Sequence, residues 1–249
     1  NSFITMSNEV KTDAKDQSEY IPSSRIKVCV GMPKHGDAIY QSWMSETVTK
    51  LFAVKYIAMF VGLFVQDEES SIHIVDMENG KTMALSGTRD YDKHCDGMTA
   101  AMIDIEKTPE ENSVMKAVVK MHLVSLMASV KITTYATKDM RLFHNTGLLV
   151  DEAYRGRKVL DEATCKIMTV GSYVYQQKLK YLTEKFKAFI ICTNANNKGS
   201  QRIFEENSMK CIQTINFKES NVPHERDFKT YYLCRISREA APELDVQPK

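Results

Sequence analysis

The chain is short of most features that mark an easily recognised class. It has no excess of either charge, with 33 Lys and Arg against 32 Asp and Glu, which argues against a nucleic-acid partner or an anionic membrane surface. It has no apolar run of the roughly 18 residues that a membrane-spanning helix needs. The longest, Tyr56–Val65, is about the length of a buried strand. The opening NSFITMSNEVKTDAKDQSEY lacks the apolar core of a secretory leader and reads as a polar tail. No Cys-x-x-Cys pair occurs among the 6 cysteines, so they read as small hydrophobes in a reducing, cytoplasmic setting. His94-Cys95 is the sole His/Cys neighbour pair, and no metal site is expected. Nor is there a Pro/Gly/Ser-rich linker or an internal repeat. One domain is expected at residues 23–238, between tails at 1–22 and 239–249.

What is there reads as alternating structure. RIKVCVGM, Arg25–Met32, is rich in β-branched residues and predicts a strand. Ile39, Trp43, Val48 and Leu51 then follow at a helical spacing. SIHIVDM and KTMALSGTRD flank Glu78-Asn79-Gly80, and Asn-Gly between apolar runs predicts a hairpin. Thr108-Pro109-Glu110-Glu111 opens a helix running to about Val130, with a capping threonine, a first-turn proline and acids at the positive end of the helix dipole. RLFHNTGLLVD, AFIICTN, KCIQTINF and KTYYLCRI predict further strands, with helices after the first two. Hairpins early and helical crossovers later predict an α/β fold. Its mixed sheet has about seven strands, antiparallel in the N-terminal half with parallel central strands, flanked by about four helices.

The most informative run is LLVDEAYRGRKVLDEATCKIM, Leu148–Met168. A strand ending at Val150-Asp151 feeds what the spacing predicts as a helix, with Leu160, Ala163, Ile167, Val170 and Val174 as its inward stripe. Unpaired N–H groups at such a helix start are a natural place for an anion. Arg155, Arg157 and Lys158 crowd that start, although cations there oppose the helix dipole by roughly 0.3–1 kcal/mol each. Either a bound phosphate compensates them, or they form a solvated basic turn.

Together with ICTNANNKGSQRIFEENSMKCIQTINF, Ile191–Phe217, this run resembles the C-terminal half of the GCN5-related N-acetyltransferase (GNAT) superfamily. Within it, the chain looks like the arylalkylamine N-acyltransferase branch of insects and other invertebrates. The resemblance spans Thr146 to about Phe217. It implies a GNAT-like domain in which an acyl group passes directly from acetyl-CoA or another acyl-CoA to a small amine. A general base assists, and neither a covalent enzyme intermediate nor a metal is involved. In that family the strand splays after the positions of Leu149 and Val150, and its backbone pairs with the pantetheine arm. The diphosphate rests on the turn and helix start, here Arg155, Gly156, Arg157, Lys158, Val159 and Leu160. Asn196, in the bend after the next strand, completes the implied coenzyme set.

The family motif is (Gln/Arg)-x-x-Gly-x-(Gly/Ala). Aligned on Arg155, it puts Lys158 at the glycine and Leu160 at the small residue. A Cβ there fills space the diphosphate needs. Two lost charge-assisted hydrogen bonds, at about 1.5–3 kcal/mol each, would weaken the coenzyme on the order of a hundred- to ten-thousand-fold. The alternatives are a shifted turn in which Gly156 takes the glycine's place, and an impaired enzyme whose cleft binds another ligand or a protein. Ser208-Met209 replaces the family's Gly-Phe after the last crossover helix, a change that bears on the helix cap. For catalysis, Glu46 stands in for the glutamate base of the enzymes it resembles, against the reading of an exposed helix glutamate. Ser200 falls on a family serine position, against the reading of a helix cap. His122 lies near an apolar stripe with a pKa suited to a base, against the reading of a structural histidine.

Overall fold

The computed structural model describes residues 20–34, 39, 69–93, 95–96, 140–195, 197–215 and 228–236. The strand expected at Tyr56–Val65 and the helices expected around Trp43 and from Thr108 to Val130 lie outside the described residues. Among the described residues no helix is long and apolar enough to cross a membrane, and no His, Cys, Asp or Glu group is arranged to hold a metal ion.

The strands are β1 (Tyr20–Pro22), β2 (Ile26–Val30), β3 (Ile72–Asp76), β4 (Thr82–Asp90), β5 (Arg141–Val150), β6 (Lys158–Asp161), β7 (Lys166–Thr169), β8 (Ala188–Ala195), β9 (Lys210–Ile215) and β10 (Phe228–Ile236). Helix α1 (Val170–Lys185) lies between β7 and β8, and α2 (Lys198–Glu206) between β8 and β9. Seven strands form one mixed sheet in the order β2-β3-β4-β5-β8-β10-β9. The expected class therefore holds. Only the central β5–β8 pair is parallel, joined by the crossover helix α1, and every other pair in that sheet is antiparallel. The Asn-Gly hairpin forms between β3 and β4, with Gly80 in the left-handed region at φ +70°.

Two expectations are corrected. Within the expected tail of residues 1–22, Tyr20–Pro22 is a strand pairing in parallel with Lys158–Leu160. The helix after β5 was drawn from the Arg155–Lys158 turn, but it starts at Val170. In its place stands the β6–β7 hairpin, which with β1 makes a separate three-stranded sheet. The turn at Asp161 explains the difference. Its carboxylate accepts from the Thr164 hydroxyl at 2.6 Å and from the Ala163 amide at 3.3 Å, and Cys165 closes the turn at φ +53°. Of the proposed inward stripe, Val170 and Val174 are buried on α1, whereas Ala163 is exposed and Ile167 is 50% exposed.

The face α1 presents to the sheet separates two core clusters. Val170, Tyr173 and Val174 pack with Ile21, Ile26, Ile72, Ile74, Met83 and Val159. Further along, Tyr175, Leu179 and Leu182 pack with Phe143, Phe189, Phe204 and Tyr231. The first cluster is closed by a buried carboxylate. Asp76, wholly buried, is held bidentately by Arg25 at 2.7 and 2.6 Å and accepts from the Tyr154 hydroxyl at 2.7 Å. Asn79 donates to both Asp76 (3.2 Å) and the Tyr154 oxygen (3.0 Å). The start of β2, the β3–β4 turn and the loop after β5 thus meet at one side chain.

The Arg25 guanidinium, hydrogen-bonded to Asp76, holds its carboxyl well below the usual carboxylate range. A carboxyl whose pKa is depressed by folding adds stability above its unfolded value, about pH 4, and loses it as the pH falls further. Asp76→Asn should therefore lower the melting temperature by roughly 5 °C or more at pH 7. In thermal denaturation followed from pH 7 to pH 2, the gap between variant and wild type should narrow below about pH 4.

Candidate functional site

The site begins where the two parallel strands separate. Pairing between β5 and β8 covers only Arg141–His144 against Phe189–Cys192, although β5 continues to Val150 and β8 to Ala195. The strands part after His144, earlier than the Leu149-Val150 position implied by the resemblance. A bulge accompanies the parting. On β4, Gly87 pairs with Gly147 and Thr88 with Asn145, so Thr146 is the extra residue on β5. Such an insertion bends its strand and increases the local twist. Beyond it, Gly147–Val150 become half-buried while still pairing with β4 on their other side.

Polar side chains close the apex of this wedge. The Asn145 amide donates to Thr193 Oγ1 at 3.1 Å, and that hydroxyl donates to the Asn145 carbonyl at 3.3 Å. Asn145 Oδ1 accepts from Ser86 Oγ at 3.4 Å and from Lys178 Nζ. Lys178, from α1, is fully buried, with its Nζ 4.3 Å from the centre of the Tyr175 ring. It has no acidic partner among the described residues, and burial pushes its amine well below the ordinary lysine range. The buried Thr146 hydroxyl has no hydrogen-bond partner among the described residues.

The loop after β5 leads from the wedge to the start of α1. Asp151 Oδ1 accepts from the Ala153 amide at 2.9 Å and initiates a 3-10 turn over Glu152–Tyr154. Arg155 Nε then donates back to the Val150 carbonyl at 3.2 Å. Gly156 takes φ +77°, and a Cβ placed there would meet nothing within 4 Å. Its glycine serves the backbone angle rather than a close approach. The Val170 amide donates to the Arg157 carbonyl at 3.1 Å, so the loop and the helix start touch across the base of the β6–β7 hairpin. Thr169 caps α1, its hydroxyl accepting from the Ser172 amide at 3.2 Å. Next to it Gly171 is tightly enclosed: a Cβ would lie 2.9 Å from Ile203 Cδ1 and 3.3 Å from Val150 Cγ2. A side chain there would hold α2 away from α1 and β5.

Between the hairpin, the first turns of α1 and the end of α2 lies a cavity of about 490 Å³. Lys158, Lys166, Thr169, Ser172, Gln176 and Arg202 line it, and Arg202 is paired with Glu206 at 2.8 Å. Gln176 Oε1 is buried there without a hydrogen-bond partner among the described residues.

The residues singled out from the sequence are partly brought together. Lys158 lines the cavity, while Arg155, Gly156 and Arg157 stand exposed on the adjoining loop. Val159 is wholly buried in the first core cluster and Leu160 sits half-buried within the hairpin, so neither stands at a helix start. Leu149 and Val150 lie on β5 beyond the parting. Ser200 is in the first turn of α2 but does not cap it. Asn197 does, accepting from the Ser200 amide at 2.7 Å. Glu46, His122 and Asn196 lie outside the described residues. The sequence reading missed Thr169, Gly171, Ser172 and Gln176, for which the run Thr169-Val170-Gly171-Ser172 was the available signal: a capping residue followed by two small ones.

No protein-family model matches the chain, nor does any curated protein. Solved structures do. Mosquito arylalkylamine N-acetyltransferase like 5b superposes with a TM-score of 0.51 at 15% identity, covering 84% of this chain and 100% of that one. Arylalkylamine N-acetyltransferase 2 from Aedes aegypti gives 0.52 at 12% identity, covering 85% and 98%. The fold is that of the GCN5-related N-acetyltransferases. At these identities the likeness extends to the GNAT fold and not to the insect branch.

Two substitutions test the local geometry. Ser208 follows α2 at φ +63°, with its amide donating to Glu205 O and the Met209 amide to Phe204 O, both at 3.0 Å. Left-handed backbone costs a side-chain-bearing residue roughly 1 kcal/mol. Ser208→Gly should raise unfolding stability by about that amount in denaturant titration. Gly171→Val should lower it by about 1–3 kcal/mol, because the added side chain overlaps Ile203 and presses on Val150.

Proposed function

We propose that the chain is an acyl-CoA-dependent N-acyltransferase that passes an acetyl group to a small amine of the arylalkylamine kind. The observation that carries this reading is the parting of β5 and β8 after His144 and Cys192. From Gly147 to Val150 the β8-facing edge of β5 takes part in no strand pairing among the described residues. Apart from the Val150 carbonyl, which accepts from Arg155, backbone groups so placed need partners, and an extended amide-bearing chain such as a pantetheine arm supplies them as an added strand would.

The coenzyme motif supports the same reading when traced through space rather than along the sequence. Across the base of the hairpin the chain runs Arg155-Gly156-Arg157, then Thr169-Val170-Gly171. This is the spacing of (Gln/Arg)-x-x-Gly-x-(Gly/Ala), interrupted by an inserted hairpin. Gly171 takes the small position, and its crowding by Val150 and Ile203 gives the reason a small residue is needed. Thr169 is the one departure, where the aligned sequence had suggested two. In the reaction the amine nitrogen attacks the thioester carbonyl, the new C–N bond forms as the C–S bond breaks, the amine's proton passes to a base, and the coenzyme leaves as a thiolate that takes up a proton to become the free thiol. Glu46, His122 and Ser200 remain the proposed catalytic residues.

One observation favours the second reading, an impaired enzyme with a reassigned cleft. Two amides of the first turn of α1 are already engaged, Val170 with the Arg157 carbonyl and Ser172 with the Thr169 hydroxyl. Thermal denaturation with acetyl-CoA, followed by acetylation assays with tyramine, dopamine and serotonin, separates the two. The acyltransferase reading expects stabilisation of about 2.7 kcal/mol at a hundredfold excess over Kd, together with turnover. A shift without turnover supports the reassigned cleft. No shift at millimolar acetyl-CoA overturns the acyltransferase.

A further inference from the structure

We propose that this chain recognises the phosphate-bearing end of its coenzyme by side chains of the inserted hairpin and of α2, in place of the loop amides. This rests on the acyl-CoA reading above and adds which groups hold the nucleotide. Four observations converge on it. First, the helix-start amides of Val170 and Ser172 are engaged within the protein. Second, the hairpin places Lys158 directly opposite Thr169, so that side chain and helix cap share one face of the hairpin, beside the cavity. Third, three cations border the cavity, and Glu206 is the one carboxylate among its lining residues, already paired with Arg202. Neither Lys158 nor Lys166 has an acidic partner among the described residues, and Lys158 Nζ lies 5.8 Å from the centre of the Tyr20 ring. Fourth, half-buried Gln176 lines the same cavity from α1, and its side-chain amide is suited to the polar edge of a base such as adenine.

Two ammonium groups without acidic partners among the described residues, from opposite faces of the hairpin, and a guanidinium from α2 border the one cavity and suit a ligand carrying two or more phosphates. The exposed Ile167, on the same face of the hairpin as Lys158, offers an apolar surface for a flat ring. The hairpin is also fixed from outside. Strand β1 pairs with β6, and Glu162 at the hairpin turn accepts from the Ser24 amide at 2.6 Å and from Ser23 Oγ at 3.2 Å. The lysines therefore sit on a braced wall rather than a free loop.

The probe is adenosine 3′,5′-bisphosphate, the phosphate-bearing part of the coenzyme without its thiol arm, titrated calorimetrically into the whole chain. Pantetheine, which lacks phosphate, runs in parallel. Wild type should bind the bisphosphate with an affinity that falls as salt rises. Replacing both lysines, Lys158→Met with Lys166→Met, should weaken the bisphosphate on the order of ten- to a hundred-fold and flatten the salt dependence, with pantetheine unchanged. Lys158→Arg with Lys166→Arg should stay within about threefold of wild type, which separates charge from folding. Equal bisphosphate binding by wild type and the methionine variant overturns the proposal, as does no binding by wild type. Lysine-dependent binding without acetyl transfer to any amine leaves this inference standing and removes the acyltransferase reading. Acetyl transfer that is indifferent to the lysines does the reverse.

Discussion

The arrangement depends on an interior pair of strands that stop pairing halfway along. A parallel pair at the centre of a sheet normally keeps its ladder, because each buried backbone group left without a partner costs about as much as a lost hydrogen bond. Here Thr146 adds a residue to β5 and bends it off line, and the cost at the apex is met by side chains. Asn145 and Thr193 exchange hydrogen bonds across the opening, Ser86 and Lys178 donate to Asn145 Oδ1, and the wedge is held at a fixed point. The Thr146 hydroxyl stands buried beside this network without a partner among the described residues. The position of Lys178 inside it accounts for a lysine on the sheet-facing side of α1.

The wedge alone does not make a site; the elements around its mouth must converge. Helix α1 reaches across both core clusters, and Gly171 lets α2 and β5 approach it closely. The Asp76 cluster ties the loop after β5 to β2 and to the β3–β4 turn, which fixes where that loop turns toward the helix. The hairpin then grows outward from the junction of Arg157 and Val170 and gives the cavity a wall of its own. Packing, burial of charge and strand register thus act on one small region from different directions.

Much of the sheet was legible in the sequence. The alternating runs at β3 and β4 with Asn-Gly between them, and the compact apolar runs at β5, β8 and β10, carry their own signals. The hairpin was not legible, for an identifiable reason. Leu160, Ala163 and Ile167 fall at intervals of three and four, which a helix would also produce, while the deciding interactions are short-range bonds from Asp161 that no periodicity records. In the reading proposed above, the coenzyme motif continues beyond the hairpin, where an alignment along the chain does not reach it. The point of parting escaped for a different reason, since a bulge is set by pairing with β4 and leaves no local pattern. Of the two readings of Ser200, the helix cap falls away, because Asn197 three residues before it takes that position.

The buried amine at the apex also alters how the molecule behaves in bulk solution. The formal count gives a net charge of +1 at pH 7, and burial of Lys178 disfavours its charged form. The folded protein therefore stands close to electrical neutrality in ordinary buffers, where mutual repulsion between molecules is weakest and self-association is least opposed. Taking up a polyanion would turn it into an acidic particle and keep its copies apart.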